Sequence, residues 1–360
     1  MFSFSKSDKV LLIAPHPDDE SLATGGLLQR VFSQKIPVRI VFATNGENNP
    51  WAQRYWDRIW RIGPDKRVQW GQRRRQEALN AICSLGGNPD CASFLNLPDL
   101  GITDLLMRGA RDLSVLFTEK IQEWEPTVAL VPSMFDAHPD HSALSVAFSM
   151  ALDSAGSSPI QTWEYLVHKP QVPIPQKPVK LLLSTEEVAC KRRAILCHET
   201  QVALSRKRFT SFAKVEEAYH PHHPIGLKVD DSSPTARLLE GVLSLQFEVS
   251  LPERFRSEIL FAFRSEGANE HRWRLLVPLR SGNVQIRDTI RDRRLHEAAV
   301  QWNSRKLFVD VPVPFAPDFE AFYAKVSSWN LFFDRSGWSR LAVRASCEES
   351  LVRRAKCPVW

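Results

Sequence analysis

The chain predicts an α/β protein with a Rossmann-like, open, mostly parallel sheet and helices on both faces, followed by a smaller β-rich, sandwich-like C-terminal domain. Three observations carry this. Short all-apolar runs that end at polar turns alternate with helical stretches through the first half. Pro-rich text then interrupts the pattern, and beyond it the hydrophobic period changes to two. The boundaries predicted are residues 1–228 for the first domain and 235–360 for the second.

Lys9-Val-Leu-Leu-Ile-Ala14 stops at a Pro-rich turn, as a buried parallel strand does. A helix is expected from Ser21 to Ser33, and Val38–Ala43 is a second strand, so the start of the chain is a βαβ unit, right-handed by the rule for such crossovers. Further helices are expected over Gly71–Leu85 and Arg108–Trp124, a short strand near Ser93–Leu97, and a clear parallel strand at Thr127–Pro132. Pro-rich text fills Pro170–Leu183, and a helix is expected over Glu186–Arg206. His220-Pro-His-His-Pro224 and Asp230-Asp-Ser-Ser-Pro234 read as a solvated interdomain connection. Strands of two-residue period follow at Leu243–Val249, Ile259–Phe263, Trp273–Val277, Val284–Arg287, Ala299–Trp302 and Leu307–Val311.

The 360 residues are 43% hydrophobic and 24% charged, which excludes a disulfide-stapled miniprotein and a disordered chain. The surplus of +6 is spread out: residues 1–230 hold 27 basic against 25 acidic side chains. Such a spread does not suggest a nucleic-acid partner, and the Arg73-Arg74-Arg75 run is flanked by acids. None of the six cysteines has a two-residue partner spacing, so they are expected as ordinary buried thiols. The apolar run Val10–Ala14 is too short for a signal peptide or a membrane span, and a cytoplasmic location is expected, with peripheral membrane contact left open.

Open parallel sheets carry their functional groups in the loops at the carboxyl ends of the strands. The first such loop, Pro15-His-Pro-Asp-Asp-Glu20, holds carboxylates where a phosphate-binding loop would hold glycines, so it calls for a cation. His16 and Asp19 can converge on one metal ion, and imidazole with carboxylate suits zinc, iron(II) or a similar divalent ion. A second cluster, His138-Pro-Asp-His141, follows the 127–132 strand and should share the same sheet rim. His141 would complete a two-His, one-Asp site with a position left for water, whose pKa a zinc ion lowers toward about 7. Asp18 is the natural general base. His138, if protonated, would stabilise the oxyanion and protonate the leaving nitrogen, with Asp140 orienting its ring.

Ala14-Pro-His-Pro-Asp-Asp-Glu20 and Ala137-His-Pro-Asp-His141 together resemble the LmbE-like or PIG-L family of zinc-dependent N-deacetylases. Thr44-Asn-Gly-Glu47, Arg74-x-x-Glu77 and Leu97-Pro-Asp-Leu-Gly101 are similar to its secondary motifs, in the family's order, and the resemblance covers roughly residues 8–205. It implies hydrolysis of the acetamido group of an N-acetylglucosamine-like sugar conjugate. By it, His16, Asp19 and His141 would hold zinc, Asp18 would be the base and His138 the oxyanion partner. Glu47 belongs to these secondary motifs and is a candidate substrate-binding residue; Arg74 and Asp99 would contact sugar hydroxyls, although Asp99 can also simply shape a turn.

Two features depart from the family pattern. The segment from Trp51 through Tyr55, Trp56 and Trp60 to Trp70 is long and aromatic, readable as an apolar helix face or as a lid whose indoles stack on a sugar or a lipid-linked acceptor. The C-terminal domain also has no place in the minimal pattern, and is expected to cover or dimerise. His198-Glu199 does not continue to a zinc-binding His at position 202, and neither a nucleophile-elbow nor a Walker pattern is present in the sequence. The function expected is therefore zinc-dependent N-acetylsugar deacetylation, in bacterial glycan or secondary-metabolite assembly. The alternatives are an amidase or deacylase of a thiol or antibiotic conjugate, or a glycan-binding protein without catalysis.

Overall fold

The computed structural model describes residues 4–109, 113–155, 159–169, 174, 177–222, 235–239, 241–249, 257–265, 269–313, 319–328, 333–334, 337–341 and 344–345. It divides into two compact units. One is Met1–Asp104, Arg111–Pro170 and Gln176–His222; the other is Leu105–Ala110, Gln171–Pro175 and His223–Trp360.

In the first unit, β1 (Val10–Ala14), α1 (Asp19–Ser33) and β2 (Val38–Thr44) form the opening βαβ unit. Next come α2 (Pro50–Asp57), α3 (Pro64–Ser84), β3 (Ala92–Leu97), α4 (Ile102–Arg108), whose residues from Leu105 on are counted with the second unit, and α5 (Leu113–Trp124). β4 (Val128–Pro132), α6 (Pro139–Ala155), β5 (Gln161–Tyr165) and β6 (Val179–Leu182) follow, then α7 (Thr185–Leu196), α8 (Glu199–Val202), α9 (Arg206–Thr210) and β7 (Glu216–Pro221). The sheet order is β3-β2-β1-β4-β5-β7-β6, parallel from β3 to β5 and antiparallel at β7 and β6. The chain leaves β1 in one direction for β2 and β3 and in the other for β4 and β5. The gap beyond the carboxyl ends of β1 and β4 is thus the topological switch point, where open α/β sheets bind ligands.

β1 is buried along its whole length because both sheet faces are covered. Val10, Leu12 and Ala14 join a core with Leu27, Leu28 and Val31 of α1, Ala78 and Ile82 of α3 and Ala194 and Ile195 of α7. Leu11 and Ile13 alternate to the opposite face. Among the described residues no helix is long and apolar enough to cross a membrane.

Several elements depart from the sequence reading. α3 starts earlier than expected, at Pro64, whose ring suits the first helical position. The helix expected over 186–206 is broken after Leu196, because His198 turns inward to Glu20 with its Nε2 2.9 Å from Oε1. His220 and Pro221 belong to β7 rather than to a solvated connection: His220 is buried, and His222 Nδ1 lies 2.9 Å from Glu164 Oε1. His223, Pro224 and 230–234 lie outside the described residues. Of the cysteines expected to be buried, Cys83 is exposed and Cys91, Cys190 and Cys197 are half-buried; Cys347 and Cys357 lie outside the described residues.

The second unit is antiparallel and β-rich: β8 (Thr235–Leu239), β9 (Val242–Glu248), β10 (Ser257–Ser265), β11 (Asn269–Leu276), β12 (Gly282–Asp288), β13 (Arg293–Asn303), β14 (Lys306–Pro312), β15 (Phe319–Ser328), β16 (Ser339–Arg340) and β17 (Arg344–Ala345). All belong to one sheet, ordered β16-β15-β10-β11-β12-β13-β14-β9-β8-β17, in which only the β17–β8 pair is parallel. Alternate residues such as Leu243, Leu245 and Phe247 meet Leu307, Val309, Ile259 and Phe261 in one shared core.

Candidate active site

The turn after β1 and the turn after β4 meet at the switch point. His16 Nδ1 lies 3.2 Å from Asp19 Oδ2, His141 Nε2 lies 3.2 Å from the same oxygen, and the two ring nitrogens are 3.3 Å apart. Bonds of about 2.0–2.1 Å to a tetrahedral metal ion put neighbouring donor atoms about 3.3–3.4 Å apart. The triangle has that size, and two imidazole nitrogens facing each other at this range call for a cation or a shared proton between them.

The remaining ring nitrogens are held from behind. His16 Nε2 lies 3.2 Å from Asp99 Oδ1 and 3.4 Å from Asp140 Oδ2, and His141 Nδ1 lies 3.2 Å from Asp136 Oδ2. Carboxylates on the far nitrogens of metal-binding histidines fix their tautomer and raise their basicity. Asp140 is itself anchored by the backbone N–H groups of Leu100 and Ile102, at 2.7 and 3.1 Å. Asp136 accepts from the N–H groups of His138, Val167 and His168. Its position depends on the loop after β5, which no local pattern announces.

Asp18 adjoins the triangle with φ 148° and ψ −27°, a backbone conformation that side-chain-bearing residues rarely adopt. Glu20 holds it there: its carboxylate accepts from the Asp18 N–H at 3.0 Å, the Ser21 hydroxyl at 2.6 Å and His198 Nε2 at 2.9 Å. Arg74 braces the same turn, donating to the carbonyls of Gly46 and Pro17, each at 2.8 Å, and pairing with Asp18 Oδ2 at 3.3 Å. Gly46, at φ +62°, lets Arg74 pass; a Cβ there would sit 1.8 Å from its Nη1.

The strain makes a stability prediction. Glycine is ordinarily destabilising relative to alanine by roughly 0.5–1 kcal/mol, but at a positive φ the order reverses. Asp18→Gly should be more stable than Asp18→Ala by about 1–2 kcal/mol in urea unfolding of the metal-free proteins. Both variants lack the carboxylate, so only the backbone distinguishes them. A less stable glycine variant refutes the strained turn.

His138 Nδ1 accepts the backbone N–H of Asp140 at 3.2 Å, which leaves the ring proton on Nε2. The orienting contact expected from the Asp140 side chain is thus made by its main chain. With Nδ1 so engaged the ring is a neutral donor rather than the imidazolium considered from the sequence. Glu47 and Asp99 are joined: Glu47 Oε1 accepts the Asp99 N–H at 2.9 Å, and Asp99 Oδ2 accepts the Asn48 N–H at 2.8 Å. Glu47 Oε2 is buried without a protein partner and remains available to a ligand.

Electrostatics follow from five buried aspartates around three imidazoles. Burial opposes protonation of His16, yet its contacts with Asp140, Asp19 and Asp99 hold its pKa well above the ordinary value. His141, also buried, is pushed up to about 10 by Asp19 and Asp136. Both shifts express a demand for positive charge between the rings. Asp19 is held well below the usual carboxylate range, its burial outweighed by His141 and His16. Asp18 moves the other way, raised by burial to about 6 against the pull of Arg74. The set gathers donor atoms for a divalent ion, a buried carboxylate of raised basicity and a neutral imidazole donor, as general acid–base chemistry at a polarised carbonyl requires.

Residues 11–152 match the family model described as PIG-L, GlcNAc-PI de-N-acetylase. The chain is similar to the 1D-myo-inositol 2-acetamido-2-deoxy-alpha-D-glucopyranoside deacetylase of Rhodococcus jostii, at 28% identity over 166 residues, 42% of this chain and 55% of the relative. To the enzyme of the same name from Mycobacteroides abscessus it is 30% identical over 161 residues, 41% of this chain and 56% of the relative. The chain spans about half the length of these curated relatives. Among solved structures it is similar to an inhibitor complex of N,N'-diacetylchitobiose deacetylase from Pyrococcus horikoshii, with TM-score 0.45 and 20% identity, covering 59% of this chain and 83% of that one.

Proposed function

Because residues 11–152 match the PIG-L family model, we propose that the chain is a metal-dependent N-deacetylase that releases acetate from an N-acetylglucosamine-like sugar conjugate. The observation that carries the reading is the triangle of His16 Nδ1, Asp19 Oδ2 and His141 Nε2 beside the Asp18 carboxylate. These three side chains would hold the ion, zinc or iron(II), with Asp136, Asp99 and Asp140 as their supports. When bound, such an ion acidifies water and polarises an amide carbonyl.

Asp18 accepts the proton that water gives up as its oxygen adds to the amide carbon. The His138 Nε2–H steadies the carbonyl oxygen as it gains charge. A neutral ring with Nδ1 already engaged has no second proton to give, so Asp18 returns its proton to the nitrogen as the C–N bond breaks. Acetic acid and a free amine result, the second proton of the water leaving as the acid ionises to acetate. Glu47 Oε2, buried without a protein partner, is an acceptor for a sugar hydroxyl, while Arg74 and Asp99 serve substrate through the turns they hold. A cytoplasmic setting is part of the same reading.

The test is metal analysis of the purified protein followed by amine release over a panel of 2-acetamidoglucosyl-inositol, its phosphatidyl form and N,N'-diacetylchitobiose. Stoichiometric divalent metal and turnover of at least one of these are expected. Bound metal without amine release from any acetamido sugar would overturn the reading.

A further inference from the structure

α2 starts where the site's own loop ends. The Asn48 N–H holds Asp99, which touches His16, and Asn49 caps the helix through the Ala52 N–H. The helix buries Ala52 and Gln53 and turns the opposite side outward. Trp51, Arg54 and Tyr55 fall at the i, i+3, i+4 spacing of a single helical face, and Arg58 ends the helix in the left-handed region. Trp51 is 67% exposed, Tyr55 63% and the following Trp60 79%. The bulk of these rings therefore lies in solvent rather than in the apolar packing the sequence allowed.

The cluster is ordered. The Arg54 guanidinium lies 5.4 Å from the Trp51 ring centroid and 5.3 Å from that of Trp60, and its Nε donates to the Trp60 carbonyl at 3.1 Å. Residues 51–67 carry Arg54, Arg58, Arg61, Lys66 and Arg67 against Asp57 and Asp65, and Asp57 is already paired with Arg73 at 2.9 Å. Here Arg54 lies within cation–π range of both indoles, and five basic side chains face two acidic ones in the segment. Amphipathic rings interleaved with basic side chains match the headgroup layer of an anionic bilayer.

We propose that residues 51–67 form an interfacial anchor that docks the first unit on an anionic lipid surface, with the active-site loop beside it. The docking is independent of the reaction, so its test reads binding alone. The full chain is sedimented with phosphatidylcholine–phosphatidylglycerol vesicles and with phosphatidylcholine vesicles. Wild type is expected to pellet with the anionic vesicles and to be released as salt rises from about 0.1 to 1 M, which shortens the screening length from about 10 to 3 Å.

Trp51→Ser with Trp60→Ser should lower partitioning roughly tenfold, and Arg58→Gln with Arg61→Gln should do so on anionic vesicles alone. All four positions are exposed, and an unchanged thermal midpoint checks that the variants fold. The proposal is overturned if wild type stays in the supernatant at low salt, if it pellets equally with neutral vesicles, or if both double variants pellet like wild type. It is also overturned if chitooligosaccharides shift the tryptophan emission while anionic vesicles do not, which would make the cluster a sugar platform.

Discussion

Asp18→Ala is expected to release acetate about 10²–10⁴-fold more slowly than wild type, with KM little changed and the metal retained. The carboxylate is not one of the three atoms of the triangle, so its loss leaves the ion's donors in place. It is the buried carboxylate whose pKa rises, to about 6, while Asp19 and Asp136 are held low by the imidazoles they face. A base of that strength both takes a proton from acidified water and gives it up again. Asp18→Asn separates this role from mere support of Arg74: the amide preserves a polar contact at 3.3 Å but cannot cycle a proton. Equal losses in both variants assign proton transfer to Asp18. Near-normal turnover in Asp18→Asn would reduce it to a brace for Arg74.

The meeting of the two histidine clusters was legible in the sequence because both follow all-apolar runs of one parallel sheet, and such runs end on the same rim. What the sequence could not supply is which strands are neighbours. β1 pairs with β4 as well as β2, and only that order brings residues 16–19 against 138–141. The supporting groups were illegible for a related reason. Asp136 is stationed by the amides of Val167 and His168, and Glu20 by His198, 178 positions along the chain in the break between α7 and α8; neither contact has a local signature. β7 was hidden by composition, since a six-residue strand ending in His220-Pro221 looks like a linker until its antiparallel partners are known. For the aromatic segment, period alone does not say whether a stripe faces a core or solvent. The exposure of Trp51 and Tyr55 had to come from the structure.

Removing a donor should separate the atoms proposed to hold the ion from the groups behind them. The His141→Ala variant is expected to purify with little metal and to gain no thermal stability from added zinc, because one corner of the triangle is gone. Wild type stripped by a chelator should regain it. An ion present at a thousand times its dissociation constant stabilises the fold by about 4 kcal/mol, which raises the midpoint of a domain of this size by roughly 8–16 °C. Asp136→Asn keeps all three donor atoms and removes only the charge behind His141 Nδ1, so it should still bind zinc, about 10–100-fold more weakly. The order wild type, Asp136→Asn, His141→Ala in zinc-induced midpoint shift is the signature of a support acting through a ligand. Full zinc affinity in Asp136→Asn would mean that the His141 ring is held by packing alone. An undiminished shift in His141→Ala would move the ion away from the triangle, to the alternative set of donors offered by His16, Asp99 and Asp140.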